Sequence, residues 1–132
     1  MITFLYAGVM GLFFLFLTFH VIRYRIKHRI SLLDGGDGRM LRLMRTHGNF
    51  AEYVPFAILL MFLCETGHAP ALLLHFMGIA LFAGRVLHGL GMTQRIEMIP
   101  GRTYGSVLTH LSILTGALYC LWNFAVSHAI SG

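Results

Sequence analysis

Apolar residues fall along the chain in four runs separated by three short polar stretches. The first run covers Met1 to Ile22, its polar interruptions being Thr3, Thr18 and His20. A basic segment follows, then Asp34-Gly35-Gly36-Asp37-Gly38, whose glycines stop a helix and make a turn. The next helix starts amphipathic and turns apolar from Val54 onward. Glu65-Thr66-Gly67-His68-Ala69-Pro70 makes a tight connection without Lys or Arg. A third apolar run precedes the polar link Gln94 to Arg102, where Pro100-Gly101 acts as a breaker. The pattern predicts helices over about 1–29, 38–64, 71–92 and 103–128. A span needs about 20 apolar residues, so the expected fold is all-α: a single four-helix integral membrane bundle.

Composition supports this. Of 132 residues, 57% are hydrophobic and 11% charged, and mean hydropathy is +0.73. Soluble domains carry about 25% charged residues, so an ordinary cytosolic globule, a disordered tail and a nucleic-acid binder are excluded. The formal charge is +5, and seven of the ten Lys and Arg lie between Arg23 and Arg45. All ten lie in or beside the first and third connections. The positive-inside rule therefore puts both termini outside and both basic connections in the cytoplasm. No basic residue precedes the first run and no small-residue cleavage site ends it, so it reads as an uncleaved helix. Cys64 and Cys120 form no CxxC and sit in apolar runs, as buried structural thiols do. The glycine-rich turn lacks the continuation of a phosphate loop and the length of a calcium loop.

The chemistry is concentrated in the second helix. At about 100° per residue, Asn49 falls about 40° from Arg45 and Glu52 about 20° to the other side. Arg42 and Tyr53, at about 60° and 80°, complete a polar face, whereas His47 points about 160° away. Ionisable groups inside a membrane usually face a bundle interior or a wet cavity. Glu52 therefore needs a cation, from Arg45 or from another helix. The plainer alternative is an ion pair that only locks the bundle, with Arg42 snorkelling to the surface. The third helix adds Arg85 and His88, the latter equally readable as a core histidine, among glycines at 78, 84, 89 and 91 that suit close helix approach. The fourth opens with Arg102, followed by Ser106 and Thr109 on the same face; hydroxyls there more often bond between helices than act in chemistry. Arg102 stands near the positive end of a helix dipole, where an anion or thiolate is favoured. Cations, one carboxylate and one amide thus converge as for a small zwitterionic ligand with several carboxylates. The eight histidines show no HxxxH spacing, and no metal is expected.

At these residues the chain resembles the MAPEG family, the membrane-associated proteins in eicosanoid and glutathione metabolism. The stretch Arg45-x-His47-x-Asn49-x-x-Glu52-x-x-Pro55-Phe56 is similar to the R-x-H-x-N-x-x-E-x-x-P-F of microsomal glutathione transferase. Microsomal prostaglandin E synthase has a like stretch with the proline one residue later. Arg85-x-x-His88 resembles the third-helix R-x-x-H of both, and Arg102 matches an arginine opening their fourth helix.

The resemblance implies a homotrimer binding glutathione between subunits near the cytoplasmic face, as co-substrate for a lipophilic molecule or lipid from the bilayer. It implies that Arg45, Asn49 and Glu52 hold the tripeptide, with His47, Tyr53, Arg85 and His88 in the same motifs. A first-helix arginine joins them, Arg23 or Arg25, and Arg102 stabilises the thiolate. Two departures stand out. Met92 occupies the place of a ligand-contacting tyrosine, and the turn lacks the Asn-Pro-Glu-Asp of the animal enzymes, as in bacterial members. The expected function is a glutathione-dependent transferase or peroxidase in a bacterial inner membrane. A non-catalytic lipid or glutathione binder is the alternative. A small multidrug transporter using Glu52 fits less well, since the arginines would repel cationic drugs.

Overall fold

The first helix stops where its backbone turns left-handed. In the computed structural model, which describes residues 1–93 and 99–131, α1 (Ile2–Lys27) ends two residues before the expected boundary. Arg29 adopts φ 53°, and the Ile30 amide turns back to the Arg25 carbonyl at 3.0 Å. Gly35 and Gly36 then take φ of 60° and 75°, a region open to glycine without steric cost. Asp37 starts α2 (Gly38–Thr66), accepting from the Arg39 and Met40 amides at 2.7 and 2.9 Å. This is N-capping. The Tyr24 hydroxyl donates to its other oxygen at 3.0 Å, tying the end of α1 to the start of α2.

At the opposite end of the bundle, the Glu65 carboxylate accepts from the Ile2 and Thr3 amides, the latter at 2.9 Å. One acidic residue on α2 thus satisfies two of the orphan donors of α1. Pro55 lies within α2 without ending it. α3 (Ala71–Thr93) and α4 (Ile99–Ser131) complete an antiparallel bundle. The Tyr119 hydroxyl donates to the Gly67 carbonyl at 2.9 Å, fastening α4 to the turn between α2 and α3.

α4 corrects the expected boundary. It begins at Ile99 rather than near 103, with Pro100 in its first turn. A helix needs no amide donor there, so the proline starts the helix instead of breaking it. The stretch 94–98 of the expected polar link, with Arg95, lies outside the described residues.

All four helices are long and apolar enough to cross a membrane. At ~1.5 Å per residue the shortest, α3 with its 23 residues, spans roughly 34 Å against a ~30 Å hydrocarbon core. No strand occurs among the described residues. Met10, Leu17, Phe50, Val54, Ala57 and Leu81 form one buried cluster. Tyr6, Met61, Cys64, Leu74 and Met77 form a second, toward the Glu65 end. Large apolar residues such as Leu12, Phe19, Leu72 and Phe124 stand exposed, as lipid-facing residues do.

α3 and α4 are the most closely packed pair. A Cβ on Gly105 would lie 2.5 Å from both the Gly84 carbonyl oxygen and the His88 amide nitrogen. These are backbone atoms with no means of yielding, so the expectation of close approach at Gly84 holds. Gly78 serves α1 instead, admitting the Tyr6 ring.

Two measurements check this account. Gly105→Val forces α3 from α4 and is expected to cost at least about 3 kcal/mol or to block folding, read from denaturation in detergent. Asp37 supplies a pH signature. Its carboxyl is held below the ordinary carboxylate range by the Met40 amide, then by the Tyr24 hydroxyl and the Arg39 amide. Its contribution is therefore complete above that range and fades as pH falls through the lowered value. Asp37→Ala is expected to melt below the parent protein at neutral pH, with the difference narrowing in acid.

Candidate functional site

The polar face of α2 opens outward. Arg45, Asn49 and Glu52 line one cavity of about 290 Å³ with Leu41, Met44 and Gly48. Their four- and three-residue steps place them there, one turn above another. The Asn49 amide donates to the Arg45 carbonyl at 2.9 Å. Arg45 and Glu52 are exposed. The cation expected to meet Glu52 is not found among the described residues, where no hydrogen bond or ion pair reaches its carboxylate.

The two first-helix arginines separate. Arg25 reaches the Met44 sulfur at 3.6 Å and the Ile30 carbonyl at 3.4 Å, and Met44 is a wall of the α2 cavity. Arg23 lies in a different cleft, with Phe19, Lys27 and Arg39. His47 also turns away from the polar face, as the helical angle predicts. Its Nε2 stands 3.0 Å from the Thr18 hydroxyl, and its ring lies against Phe14 at 4.7 Å. Thr18 gives its one proton to the Phe14 carbonyl, so His47 Nε2 is the donor to Thr18.

Tyr53 carries the α2 face toward α3 and α4. The Arg85 guanidinium carbon is 5.9 Å from its ring centroid, and the His110 ring meets it edge-on at 5.3 Å. Arg85 is buried, and its Nε and Nη2 both donate to the Thr109 hydroxyl, at 2.9 and 2.6 Å. Thr109 passes its own proton to the Gly105 carbonyl at 3.0 Å. Among the described residues no carboxylate balances this guanidinium, and a buried unpaired charge is costly. His88 is also buried; its Nδ1 lies 3.4 Å from the Ser106 hydroxyl, while Nε2 has no partner.

Ser106 and Thr109 thus act as interhelical hydrogen-bonders. Arg102, one turn before Ser106, is exposed in the N-terminal part of α4. Among the described residues no bond or ring contact joins it to Arg45, Asn49 or Glu52. His110 was absent from the expected set, although its place one turn after Ser106 made it visible.

Chemically, this is a surface-opening cleft of one carboxylate, one amide and one exposed guanidinium, with the buried Arg85 guanidinium held separately by Thr109 and facing Tyr53. It suits a ligand with both carboxylates and an ammonium. The sequence profile of the MAPEG family matches residues 3–122. The chain belongs to the MAPEG family.

Two MAPEG-like relatives accord with that membership. The chain is 35% identical over 122 residues to "Inner membrane protein YecN" of Escherichia coli (strain K12), covering 92% of each chain. The protein of the same name from Escherichia coli O6:H1 (strain CFT073) matches to the same extent. Like its family, the chain is a multi-pass helical membrane protein.

The Arg85–Thr109 contact supplies a test within this MAPEG bundle. Thr109→Val removes the acceptor shared by two guanidinium donors and should cost about 2–3 kcal/mol. Thr109→Ser should recover most of it, as measured by denaturant titration of the detergent-solubilised protein.

Proposed function

We propose that this chain is a glutathione-dependent transferase or peroxidase of a bacterial inner membrane, with both termini periplasmic. The observation that carries the reading is the α2 cleft, where Arg45, Asn49 and Glu52 line one cavity and the Arg45 and Glu52 side chains stand exposed. An exposed charged face within a span is costly in lipid. A further copy of the chain would cover it, which supports self-association, here read as a homotrimer with glutathione at the subunit boundary.

In this reading Arg45 and Arg25 hold the two carboxylates, since a guanidinium grips a carboxylate with two hydrogen bonds. Glu52 meets the ammonium, and Asn49 and Tyr53 bound the peptide. Arg85 and His88 fix the α3 wall. His47, bonded to Thr18, positions α1 against α2 and acts through that packing. Arg23, directed into its own cleft, drops out of the ligand set.

Arg102 stands at the start of α4, where a cation and the helix dipole both favour a thiolate over the thiol of pKa about 8.5. The thiolate sulfur attacks an electrophilic carbon of a lipophilic acceptor. An S–C bond forms while the leaving group departs with its electron pair, taking a proton from water where it needs one. With a lipid hydroperoxide, sulfur attacks the terminal oxygen and the O–O bond breaks, leaving an alcohol after proton uptake. A second glutathione then displaces water to give the disulfide.

The deciding experiment titrates the detergent-purified protein with glutathione, reading the thiolate by ultraviolet difference absorbance and binding by calorimetry. A saturable thiolate band is expected. Arg45→Ala and Glu52→Gln should weaken binding about 10- to 100-fold. Arg102→Ala should keep binding but lose the band, with kcat/KM down about 100-fold. Binding without a band in the parent protein would leave a non-catalytic glutathione binder. No binding would discard the reading.

A further inference from the structure

The other side of α2 faces a second, unrelated chamber. A cavity of about 350 Å³ lies among α1, α2 and α3, within the roughly 300–1,000 Å³ of ligand pockets. Its walls are chiefly apolar, among them Phe13, Phe16, Leu17, Leu43 and Val86, and its α2 residues are 39, 42, 43 and 46. None of these borders the glutathione cleft, whose α2 residues are 41, 44, 45, 48, 49 and 52.

One end of the chamber is cationic. Arg39, Arg42 and His20 line it, and Arg42 Nε is buried without a hydrogen-bond partner. A second cleft of about 390 Å³ adjoins it, sharing Phe16, His20, Arg39 and Leu43 and adding Arg23 and Lys27. Among the described residues no Asp or Glu lines either cavity. Asp37, at the start of α2, is already engaged by Tyr24 and by the first amides of that helix. Arg39 lies 5.3 Å from the Tyr24 ring centroid, a contact that leaves its charge unneutralised.

We propose that these joined cavities are a binding site for an anionic phospholipid of the leaflet that meets the basic connections. The phosphodiester sits between Arg39 and Arg42, with Arg23 and Lys27 around it. One acyl chain enters the slot between Phe13, Leu17 and Val86, and the other runs along Phe16 and Phe19. Guanidinium pairs suit phosphate geometry, and basic pockets between spans on the cytoplasmic side bind anionic head groups. The apolar slot selects a lipid over a soluble anion. Phe16 and Leu90, both 54% exposed, border it on the membrane-facing surface. This site does not depend on the glutathione reading.

The test delipidates the detergent-solubilised protein, then adds phosphatidylglycerol or phosphatidylcholine and reads thermal melting and native mass spectra. Phosphatidylglycerol should raise Tm by several degrees by mass action and remain as one adduct per chain, with phosphatidylcholine doing neither. The pair Arg39→Gln and Arg42→Gln should lose at least 10-fold in phosphatidylglycerol retention, and Arg39→Lys with Arg42→Lys should keep part of it.

Gly89→Leu gives an independent variant. Among the described residues a Cβ there meets Phe13 and Thr46, each at 4.0 Å and both through side-chain atoms, so the added side chain enters the slot. It should melt normally without lipid yet lose the lipid-induced rise. Glu52→Gln should retain phosphatidylglycerol fully, whatever it does to glutathione. Equal retention of both lipids, unchanged retention in the glutamine pair, or glycerol phosphate competing as well as the whole lipid would each overturn the assignment.

Discussion

The backbone contact between Gly84 and Gly105 sets the geometry on which the polar interior depends. With no side chain on either glycine, α3 and α4 approach until only backbone separates them. That spacing brings Thr109 within reach of two Arg85 donors and Ser106 within reach of His88. A guanidinium in a membrane bundle is tolerable only where hydrogen bonds replace water. One hydroxyl does part of that, passing its own proton to the Gly105 carbonyl at the same crossing. Packing and electrostatics meet in a single turn of each helix.

From that crossing the remaining polar groups divide by the side of α2 they occupy. One side carries Arg45, Asn49 and Glu52, lining an open cleft. The other carries Arg39, Arg42 and Thr46 over an apolar chamber. Tyr53 joins the first side to α3 and α4 through Arg85 and His110. His47, between the two, spends its hydrogen bond on Thr18 and holds α1 in place. A single amphipathic segment therefore presents a zwitterion-compatible face and a lipid-compatible face, lined by different residues of the same helix.

The two ends of the bundle are secured by different devices, both using one carboxylate for several donors. Asp37 caps α2 and receives Tyr24 from α1. Glu65 reaches the first amides of α1. Asp37 spends its oxygens on Tyr24 and two amides, and the first connection, with Arg23, Arg25, Lys27 and Arg29 against Asp34 and Asp37, stays net positive. Cys64 and Cys120, far apart in sequence, meet at 3.9 Å between α2 and α4 as free thiols.

Hydropathy by itself determined four spans, because apolar runs of that length have few alternatives in water or in lipid. The 3.6-residue period also determined that Arg45, Asn49 and Glu52 share a face and that His47 leaves it. These are local properties of a helix, independent of what it touches. Only the tertiary structure decided which of Arg23 and Arg25 approaches that face, since the two differ by their contacts with α2 and not by their own pattern. It likewise decided that Pro100 lies in the first turn of a helix, that His110 meets Tyr53, and that Glu52 finds no cation among the described residues. Each of these depends on how far apart two helices sit, a distance set by small residues such as Gly84 and Gly105 acting across the bundle.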